Sequence, residues 1–320
     1  MIVVTGGAGM IGSNIVKALN KVGINEIIIV DDLKDGKKIF NLNNLDFQDY
    51  LDKDDFLEMI KKDNKIGKIK VVFHQGACST TTEWDGKYLM SNNYEYSKFL
   101  LNWCIKNKYQ FINASSASVY GLGENGFEEN IKSEKPINPY GFSKFLFDQY
   151  IRKNINSSES QIVSLRYFNV YGPRETHKGE MASTIFHFNN QFNKDKKCNL
   201  FEGTNGYING EQMRDFVYVE DCSLVNLWFM ENPNKSGIYN VGTGQAETFN
   251  SVANSIIKWH KNNKNSIQGS ISYIPFPANL KGHYQNFTQA EIKKLRDIGY
   301  KKEFYSLENG INKYLNWLNN

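Results

Sequence analysis

Short apolar runs alternate with amphipathic stretches along the first half of the chain. The runs occupy residues 2–5, 26–30, 69–73, 111–114 and 162–165, with helical patterns at about 13–22, 92–106 and 143–153. Apolar runs of this length predict buried strands, and their alternation with helices is typical of a parallel sheet covered by helices on both faces. We therefore predict an α/β fold with a doubly wound parallel sheet.

A glycine-rich segment, Gly6-Gly-Ala-Gly-Met-Ile-Gly12, joins the first predicted strand to the first predicted helix. Each glycine in the spacing Gly6, Gly9 and Gly12 has a mechanical reason: a tight turn, close approach of the backbone to a pyrophosphate, and close packing of helix on sheet. The N-terminus of the helix would then face the phosphates. This placement between strand and helix favours a dinucleotide site over an ordinary glycine-rich turn.

Acidic and basic residues follow the second apolar run. Asp31 and Asp32 stand where a carboxylate commonly accepts hydrogen bonds from the adenosine ribose, which favours NAD over NADP. Lysines come soon after and are of the right charge to bind a 2′-phosphate, although each taken alone is more simply a solvated surface lysine. These lysines are Lys34, Lys37, Lys38 and Lys53. From these residues alone, both NAD and NADP remain open.

Candidate chemistry lies in a serine-rich segment, Ser115-Ser-Ala-Ser-Val-Tyr-Gly121, and in Tyr140-Gly-Phe-Ser-Lys144. A tyrosine and a lysine four residues apart share one helix face. A phenol with a pKa of about 10 is a poor base at neutral pH, and we expect a nearby cation to lower that pKa. Tyr-x-x-x-Lys alone is common on ordinary helices. Together with the glycine loop and Ser116, it predicts a redox site in which Lys144 also binds the nicotinamide ribose.

The composition narrows the class of protein. The chain has 320 residues, 40% hydrophobic and 22% charged, as in globular rather than disordered proteins. The net charge of +4 comes from scattered residues, so we do not expect nucleic acid as a partner. The four cysteines lack zinc and Cys-x-x-Cys spacings, which predicts reduced thiols and no metal site. A first strand at residue 2 and the lack of about 20 consecutive apolar residues predict a cytoplasmic protein without a membrane span.

Several longer segments carry a family resemblance. They are His74-Gln-Gly-Ala-Cys-Ser79, Thr82-Glu-Trp-Asp-Gly-Lys87, Tyr140-Gly-Phe-Ser-Lys-Phe-Leu-Phe147, Arg166-Tyr-Phe-Asn-Val-Tyr-Gly-Pro-Arg174, His177-Lys-Gly179 and Phe201-Glu-Gly203, with the glycine loop. Over most of its length the chain resembles the extended short-chain dehydrogenase/reductase family, whose members act mainly on nucleotide-activated sugars. The segments 82–87 and 177–179 resemble in particular the subgroup that epimerises ADP-heptose at C6.

The resemblance implies an architecture and an assembly. Residues 1–170, with returning segments at about 214–247, are expected to form an NAD(P)-binding Rossmann domain. Residues 171–213 and 248–320 are expected to form a smaller C-terminal substrate-binding lobe. The family also implies a homo-oligomer, for which a pentamer is one candidate.

The resemblance also implies a reaction. The proton on the heptose C6 is not acidic, because no carbonyl adjoins it, so an epimerase of this subgroup first oxidises that carbon with a bound nicotinamide and then returns the hydride to the other face. Tyr140 is implied as one acid/base and Lys178 as the second. Ser116 and Lys144 are implied as their supporting groups.

Two sets of binding residues follow from the same resemblance, which favours NADP. For the dinucleotide they are Gly6, Gly9, Met10, Ile11, Gly12, Asp31, Asp32, Lys38, Lys53, Gln75, Gly76, Ala77, Cys78, Ser79, Asn92, Lys144, Val170 and Lys178. For the ADP-heptose substrate they are Ser116, Asn169, Glu180, His187, Phe201, Glu202, Gly203, Thr204, Arg214 and Tyr284. The chain departs from the subgroup at Met10, at Glu180 and in a longer stretch at 205–213.

Three other functions are compatible with the same fold. A 4,6-dehydratase needs a carboxylic acid and a carboxylate beside the catalytic hydroxyl residue, where this chain has Ala117 and Ser118. A related 4-epimerase uses the same redox cycle and is not separated by these residues. A nucleotide-sensing protein without catalysis would have no need of Ser116, Tyr140 and Lys144 together.

Overall fold

The computed structural model describes residues 1–62, 66–264, 268–277 and 284–319. Its strands are β1 (Ile2–Thr5), β2 (Ile27–Asp31), β3 (Asp49–Asp52), β4 (Val71–His74), β5 (Gln110–Ser116), β6 (Ile162–Tyr167), β7 (Asn169–Tyr171), β8 (Lys197–Phe201), β9 (Met213–Arg214), β10 (Phe216–Tyr218), β11 (Gly237–Val241), β12 (Glu247–Thr248) and β13 (Ser270–Ile274). The α-helices are α1 (Met10–Lys21), α2 (Lys53–Lys61), α3 (Gly86–Leu89), α4 (Tyr96–Asn107), α5 (Pro139–Asn154), α6 (Thr184–Asp195), α7 (Val219–Glu231), α8 (Phe249–Asn263), α9 (Lys293–Asp297) and α10 (Leu307–Asn319).

Seven strands form the central sheet in the order β11-β6-β5-β4-β1-β2-β3, and every neighbouring pair is parallel. All residues of β1, β2 and β4 are buried, as expected for strands covered on both faces. One face packs on α1 and α7 and the other on α2, α4 and α5. The predicted doubly wound α/β fold is confirmed.

The order of the strands places a crevice at the middle of the sheet. The chain passes from β1 to β2 and β3 on one side and then returns to β4 on the other side of β1. At such a switch point the two following connections diverge, leaving a crevice beyond the carboxyl ends of the strands. In this sheet the crevice lies beyond Thr5 and His74, which are paired in register.

A second apolar core lies outside the central sheet. Side chains from α6, α8 and α10 pack there against the parallel pairs β8–β13 and β7–β10. Phe192, Ile256 and Ile311 are fully buried in it. β11 returns to the edge of the central sheet beside β6. The division into a dinucleotide domain and a substrate lobe remains a prediction.

One predicted strand is divided in the structure. The pattern of residues 214–219 in the sequence predicts one continuous strand, but β9 and β10 are separated at Asp215, and Val219 already begins α7. The buried Asp215 carboxylate accepts hydrogen bonds from the backbone N–H groups of Thr243, Gly244 and Ala290, at 2.7 to 3.0 Å. The chain leaves the strand path here because this carboxylate binds the loop after β11.

A buried network of charges attaches α5 to the sheet. The Arg166 guanidinium on β6 donates to the Asp148 carboxylate on α5 at 2.8 Å and also pairs with Glu134. Ser115 Oγ and Ser164 Oγ donate to the two oxygens of the same Asp148 carboxylate. All of these side chains are buried, so this network determines how α5 lies against β5 and β6. No α-helix of the described ranges is long and apolar enough to cross a membrane.

Candidate active site

A cleft of about 700 Å³ opens at the crevice beyond β1 and β4. A second cavity of about 310 Å³ adjoins it and shares part of its wall, including Gly6, Asp31 and Lys38. The glycine loop, the segment after β4, the end of β5, the start of α5 and residues 176–181 all contribute to the larger cleft. The topology therefore brings together segments that are far apart in the sequence.

The glycine loop leaves no room for side chains. Gly6 has φ +65°, and a Cβ at this position would stand 2.6 Å from the Gly76 nitrogen. A Cβ on Gly12 would stand 2.2 Å from the Gly6 carbonyl oxygen, so only glycine allows α1 to begin this close to β1. The first N–H groups of a helix lack partners within it and attract anions. The loop thus forms a cradle that fits the pyrophosphate of a dinucleotide.

Asp31, at the end of β2, is already engaged on both carboxylate oxygens. Oδ2 accepts from the Ala8 N–H at 2.8 Å, and Oδ1 accepts from the Lys38 ammonium at 2.9 Å. Lys38 also donates to the Asp32 carbonyl oxygen at 2.8 Å. Asp32, Lys53 and Asn92 line the smaller cavity together with Asp31 and Lys38. This end of the cleft therefore holds a carboxylate whose charge is balanced by a lysine.

Ser116 and Tyr140 meet at the base of the larger cleft. The Ser118 N–H donates to Ser116 Oγ at 3.1 Å, which places Ser116 at the first turn after β5. Asn138 caps α5 through the Gly141 N–H at 2.7 Å, and Pro139 occupies the first turn, so Tyr140 stands at the helix start. The side chains of Ser116 and Tyr140 share a hydrogen bond.

The protonation of this pair differs from the expectation. Burial raises the pKa of Tyr140, and the hydrogen bond with Ser116 opposes that rise only in part. The Lys144 ammonium donates to the Ala114 carbonyl oxygen at 2.7 Å, and burial lowers the Lys144 pKa to about 8. The predicted lowering of the Tyr140 pKa by Lys144 is wrong for this structure, because desolvation is the larger effect on both groups.

Lys178 reaches the same cleft from a different segment. It lies in a short 3₁₀-helical turn, Thr176–Met181, and Gly179 turns the chain there with φ +55°. Burial lowers the Lys178 pKa, and the charge of Glu175 opposes that shift. Among the described residues, no side chain or carbonyl forms an ion pair or hydrogen bond with the Lys178 ammonium. The cleft thus contains two protonatable groups, Tyr140 and Lys178, supplied by separate elements.

The predicted dinucleotide residues all line one or both cavities. Of the predicted substrate residues, Ser116 and Asn169 line the larger cleft. The described walls of the two cavities do not include the other predicted substrate residues, namely Glu180, His187, Phe201, Glu202, Gly203, Thr204, Arg214 and Tyr284.

The remaining predicted substrate residues form two groups. The Arg214 guanidinium lies 4.8 Å from the centre of the Tyr284 ring, and that ring packs against Phe201 with 6.4 Å between centres. Glu202, Gly203 and Thr204 follow Phe201 directly at the end of β8. In the other group, the His187 ring contacts the Glu180 carbonyl oxygen at 3.2 Å on an exposed surface.

A chain of polar side chains supports the floor of the cleft. The Gly76 N–H lies 3.3 Å from Thr5 Oγ1, which hydrogen-bonds His74 Nδ1 at 2.6 Å. His74 Nε2 lies 2.7 Å from Ser97 Oγ, and Ser97 donates its own proton to the Asn93 carbonyl oxygen. Ser97 therefore accepts from His74, so the proton of the neutral ring lies on Nε2. Burial lowers the His74 pKa to about 3.

Comparison with known proteins identifies the family. Residues 2–242 match the NAD dependent epimerase/dehydratase family. The chain belongs to this family. The glycine cradle and the cleft described above both fit a nicotinamide dinucleotide, in keeping with this family.

Three solved structures of this epimerase/dehydratase kind are similar to the chain over nearly its whole length. ADP-L-glycero-D-manno-heptose-6-epimerase from Helicobacter pylori is 31% identical, with a TM-score of 0.82, and the match covers 99% of this chain and 95% of the Helicobacter pylori chain. UDP-N-acetylglucosamine 4-epimerase from Methanobrevibacter ruminantium is 27% identical, with a TM-score of 0.82 and coverages of 99% and 97%. UDP-glucose 4-epimerase from Thermotoga maritima is 28% identical, with a TM-score of 0.81 and coverages of 99% and 98%.

Sequence reasoning missed several residues that line the cleft and one, Asn93, that supports its wall without lining it. Asn93 is buried, and its side chain bonds both the N–H and the carbonyl oxygen of Cys78 and also Ser143 Oγ. It thereby attaches the segment after β4 to α5, although the sequence analysis named only its neighbour Asn92. Asn93 lies in a π-helical turn, Met90–Glu95, for which the pattern of residues gave no signal. Thr80, Thr81, Tyr88, Phe168 and His177 also line the larger cleft.

Proposed function

We propose that this protein is a nucleotide-sugar epimerase that inverts C6 of the heptose in ADP-D-glycero-β-D-manno-heptose. The product is ADP-L-glycero-β-D-manno-heptose, a precursor of the lipopolysaccharide inner core. The observation that carries the proposal is the meeting of Tyr140 and Lys178, from separate elements, in one cleft with the glycine cradle. Two acid/base groups at different positions suit an epimerase, because the two epimers present opposite faces of one carbon to the nicotinamide.

The chain's own groups perform the proton transfers in this proposal. When bound, the nicotinamide dinucleotide supplies the hydride acceptor and, later, the same hydride. Tyr140 takes the proton of the C6 hydroxyl as a general base, and Ser116 holds that oxygen through a hydrogen bond. Lys144 binds the nicotinamide ribose beside Tyr140. Lys178 exchanges the proton with the sugar oxygen when the opposite face of the resulting ketone is presented.

The lowered pKa of Lys178 supports its role as an acid/base. A lysine at its ordinary pKa of about 10.4 is almost entirely protonated at neutral pH and a poor base. Burial in the cleft favours the uncharged amine, so both protonation states become accessible nearer neutral pH. A solvated surface lysine would lack this property.

The proposed cofactor is NADP, with NAD as the alternative. The Lys38 ammonium balances the charge of Asp31, which reduces the repulsion that this carboxylate would exert on a 2′-phosphate. Lys53 lines the same cavity and adds a second cation. Both Asp31 oxygens already accept hydrogen bonds from within the protein, and these bonds compete with hydrogen bonds that the ribose hydroxyls would donate. These observations favour the phosphorylated cofactor.

The Arg214 group is proposed to bind the nucleotide diphosphate of the sugar. A guanidinium offers two parallel donors that match phosphate oxygens. Arg214 is 6% exposed and stacks on Tyr284, so it is held in place before any ligand binds. We further propose that the protein is a homo-oligomer in the cytoplasm, with a pentamer as one candidate form.

A 4-epimerase acting on another nucleotide sugar is the second candidate. Its support is the TM-scores of 0.82 and 0.81 to two solved 4-epimerases, equal or close to the score to the heptose 6-epimerase. Ala117 and Ser118 remain the argument against a 4,6-dehydratase, because neither side chain is a carboxylic acid.

Direct assay of purified protein tests the proposal. Each ADP-heptose epimer, UDP-glucose and UDP-N-acetylglucosamine would be incubated separately with the protein and the products resolved by NMR. Interconversion of the two ADP-heptose epimers alone is the expected result. Interconversion of a UDP-sugar at C4 would establish the second candidate, loss of water would indicate a dehydratase, and no turnover of any sugar would support a sensor.

A further inference from the structure

Asn41 contacts two segments that build the cleft, the glycine loop and the segment that ends at Lys178. It is the last residue of a 3₁₀ helix, Gly36–Asn41, and is 3% exposed. Its side-chain nitrogen donates to the Ala8 carbonyl oxygen of the glycine loop at 2.8 Å and lies 3.1 Å from His177 Nδ1. Its backbone carbonyl oxygen accepts a hydrogen bond from the Arg174 guanidinium. No residue of this group was given a role by the sequence analysis.

These contacts determine the protonation of His177. The Ala8 carbonyl oxygen can only accept, so the amide group of Asn41 must present its nitrogen there. The second proton on that nitrogen then points to His177 Nδ1, which must accept it. The single proton of the neutral His177 ring is therefore on Nε2. Burial and the nearby charges of Lys38 and Lys178 lower the His177 pKa, in keeping with a neutral ring.

The segment that ends at Lys178 is attached at three points, one on α1 and two on Asn41. Asn14 on α1 donates to the Pro173 carbonyl oxygen at 3.0 Å. Arg174, held in the left-handed region at φ +73°, binds the Asn41 carbonyl oxygen. The third point is the Asn41–His177 hydrogen bond. The Lys178 side chain has no hydrogen-bond or ion-pair partner of its own among the described residues, so its location is set by the turn that carries it. That turn is fixed by the hydrogen bond from the Lys178 N–H to the Glu175 carbonyl oxygen and, one residue before Lys178, by the His177–Asn41 contact.

We propose that Asn41 and His177 are positioning residues that set the distance between the Lys178 amine and the dinucleotide cradle. This inference rests on the proposed function, since it concerns the second acid/base of that reaction. Neither residue transfers a proton. Loss of the Asn41–His177 hydrogen bond releases the turn at residues 176–181 and moves Lys178, and a misplacement of about 1 Å can cost about 10²-fold in rate.

Two substitutions of His177 provide the test. His177→Leu removes the acceptor, whereas His177→Asn places an amide oxygen near the position of Nδ1 and keeps it. We expect His177→Leu to lower kcat for ADP-heptose epimerisation at least 10-fold, with KM within about twofold of wild type, and His177→Asn to restore most of the rate. Thermal unfolding and a fluorescence titration with NADP⁺ should be close to wild type for both variants. Equal rates for His177→Leu and wild type would overturn the inference.

A double variant separates this inference from the proposed function. If His177 acts through Lys178, adding His177→Leu to Lys178→Met should slow the reaction by less than twofold beyond Lys178→Met alone. If the rate loss of the double variant instead equalled the product of the two single-variant losses, the positioning role would be overturned. If Lys178→Met alone left epimerisation unchanged in both directions, the proposed role of Lys178 itself would fail, and the positioning role with it.

Discussion

Tyr140 is the residue on which the proposed chemistry depends most. Its pKa is raised by burial, so in this structure it is a protonated phenol at neutral pH, and we propose that it acts as a base once the dinucleotide is bound. Tyr140→Phe removes the hydroxyl and keeps the ring. We expect turnover to fall by about 10²-fold or more, in line with loss of general acid/base catalysis, as measured by initial rates. A folded variant with the wild-type rate would remove Tyr140 from the mechanism.

Lys38 is the residue that bears on cofactor choice. If its ammonium and that of Lys53 bind a 2′-phosphate, NADP⁺ should bind more tightly than NAD⁺, and Lys38→Ala should reduce that preference because one cation is lost. The measurement is a titration of each dinucleotide by intrinsic fluorescence. Lys37→Ala is the matched control, since Lys37 is an exposed neighbour outside both cavity walls. Equal affinities of the wild-type protein for the two dinucleotides would defeat the assignment.

His74 gives the protein a specific sensitivity to acid. Its pKa is about 3 in the folded state against about 6.5 in an unfolded chain, so as the pH falls below 6.5 the unfolded chain gains a proton that the folded one excludes. The contribution of the neutral His74 ring to stability is therefore fully present above pH 6.5 and decreases as the pH falls toward 3. Between pH 7 and pH 5, this one group should lower the free energy of unfolding by about 2 kcal/mol.

The control for His74 is a variant that cannot titrate. His74→Asn keeps an acceptor for the Thr5 hydroxyl and removes the imidazole. Urea unfolding at pH 7 and pH 5 should show that the wild type loses about 2 kcal/mol more than the variant over this interval. The same loss in both proteins would mean that His74 is not the group responsible.

At the scale of elements, the sequence predicted those helices and strands that local patterns of residues encode. β1, α1 and β2 were located because uninterrupted apolar runs flank a glycine spacing with steric reasons at every position. α5 begins at Pro139, one residue before Tyr140, where the Tyr140–Lys144 spacing predicts the helix to start, and Asn138 before Pro139 is a capping signal that the prediction did not use. The division at Asp215 had no local signal, because its partners lie in the loop after β11 and at Ala290.

The buried charges between α5 and the sheet give a prediction about stability. Arg166→Met would leave the buried Asp148 carboxylate without its cation, whereas Glu134 would keep its pair with Arg152, and breaking a buried pair typically costs about 3–5 kcal/mol. The free energy of unfolding from urea titration is the measurement. Lys258→Met breaks the exposed pair with Glu308 and should cost less than about 1 kcal/mol. Similar losses for the two variants would contradict the importance given to burial.

At the scale of the whole molecule, the cleft results from strand order rather than from any one motif. The sequence analysis assigned the cavity-lining dinucleotide residues partly from the glycine loop and partly from family resemblance. That Lys178 reaches the cleft was implied only by resemblance, because the segment after β7 has no periodic pattern. The contacts of Asn41 with Arg174 and His177 link positions over 130 residues apart, and no spacing in the sequence predicts them.

The central claim is that one carbon of a nucleotide sugar is inverted by removal and return of the same hydride within the cleft. The most direct measurement follows ADP-heptose carrying deuterium at C6 through inversion in ordinary water, with the product examined by mass spectrometry and NMR. The account predicts that the deuterium is kept at the inverted carbon. Replacement of that deuterium by solvent hydrogen during inversion would contradict it.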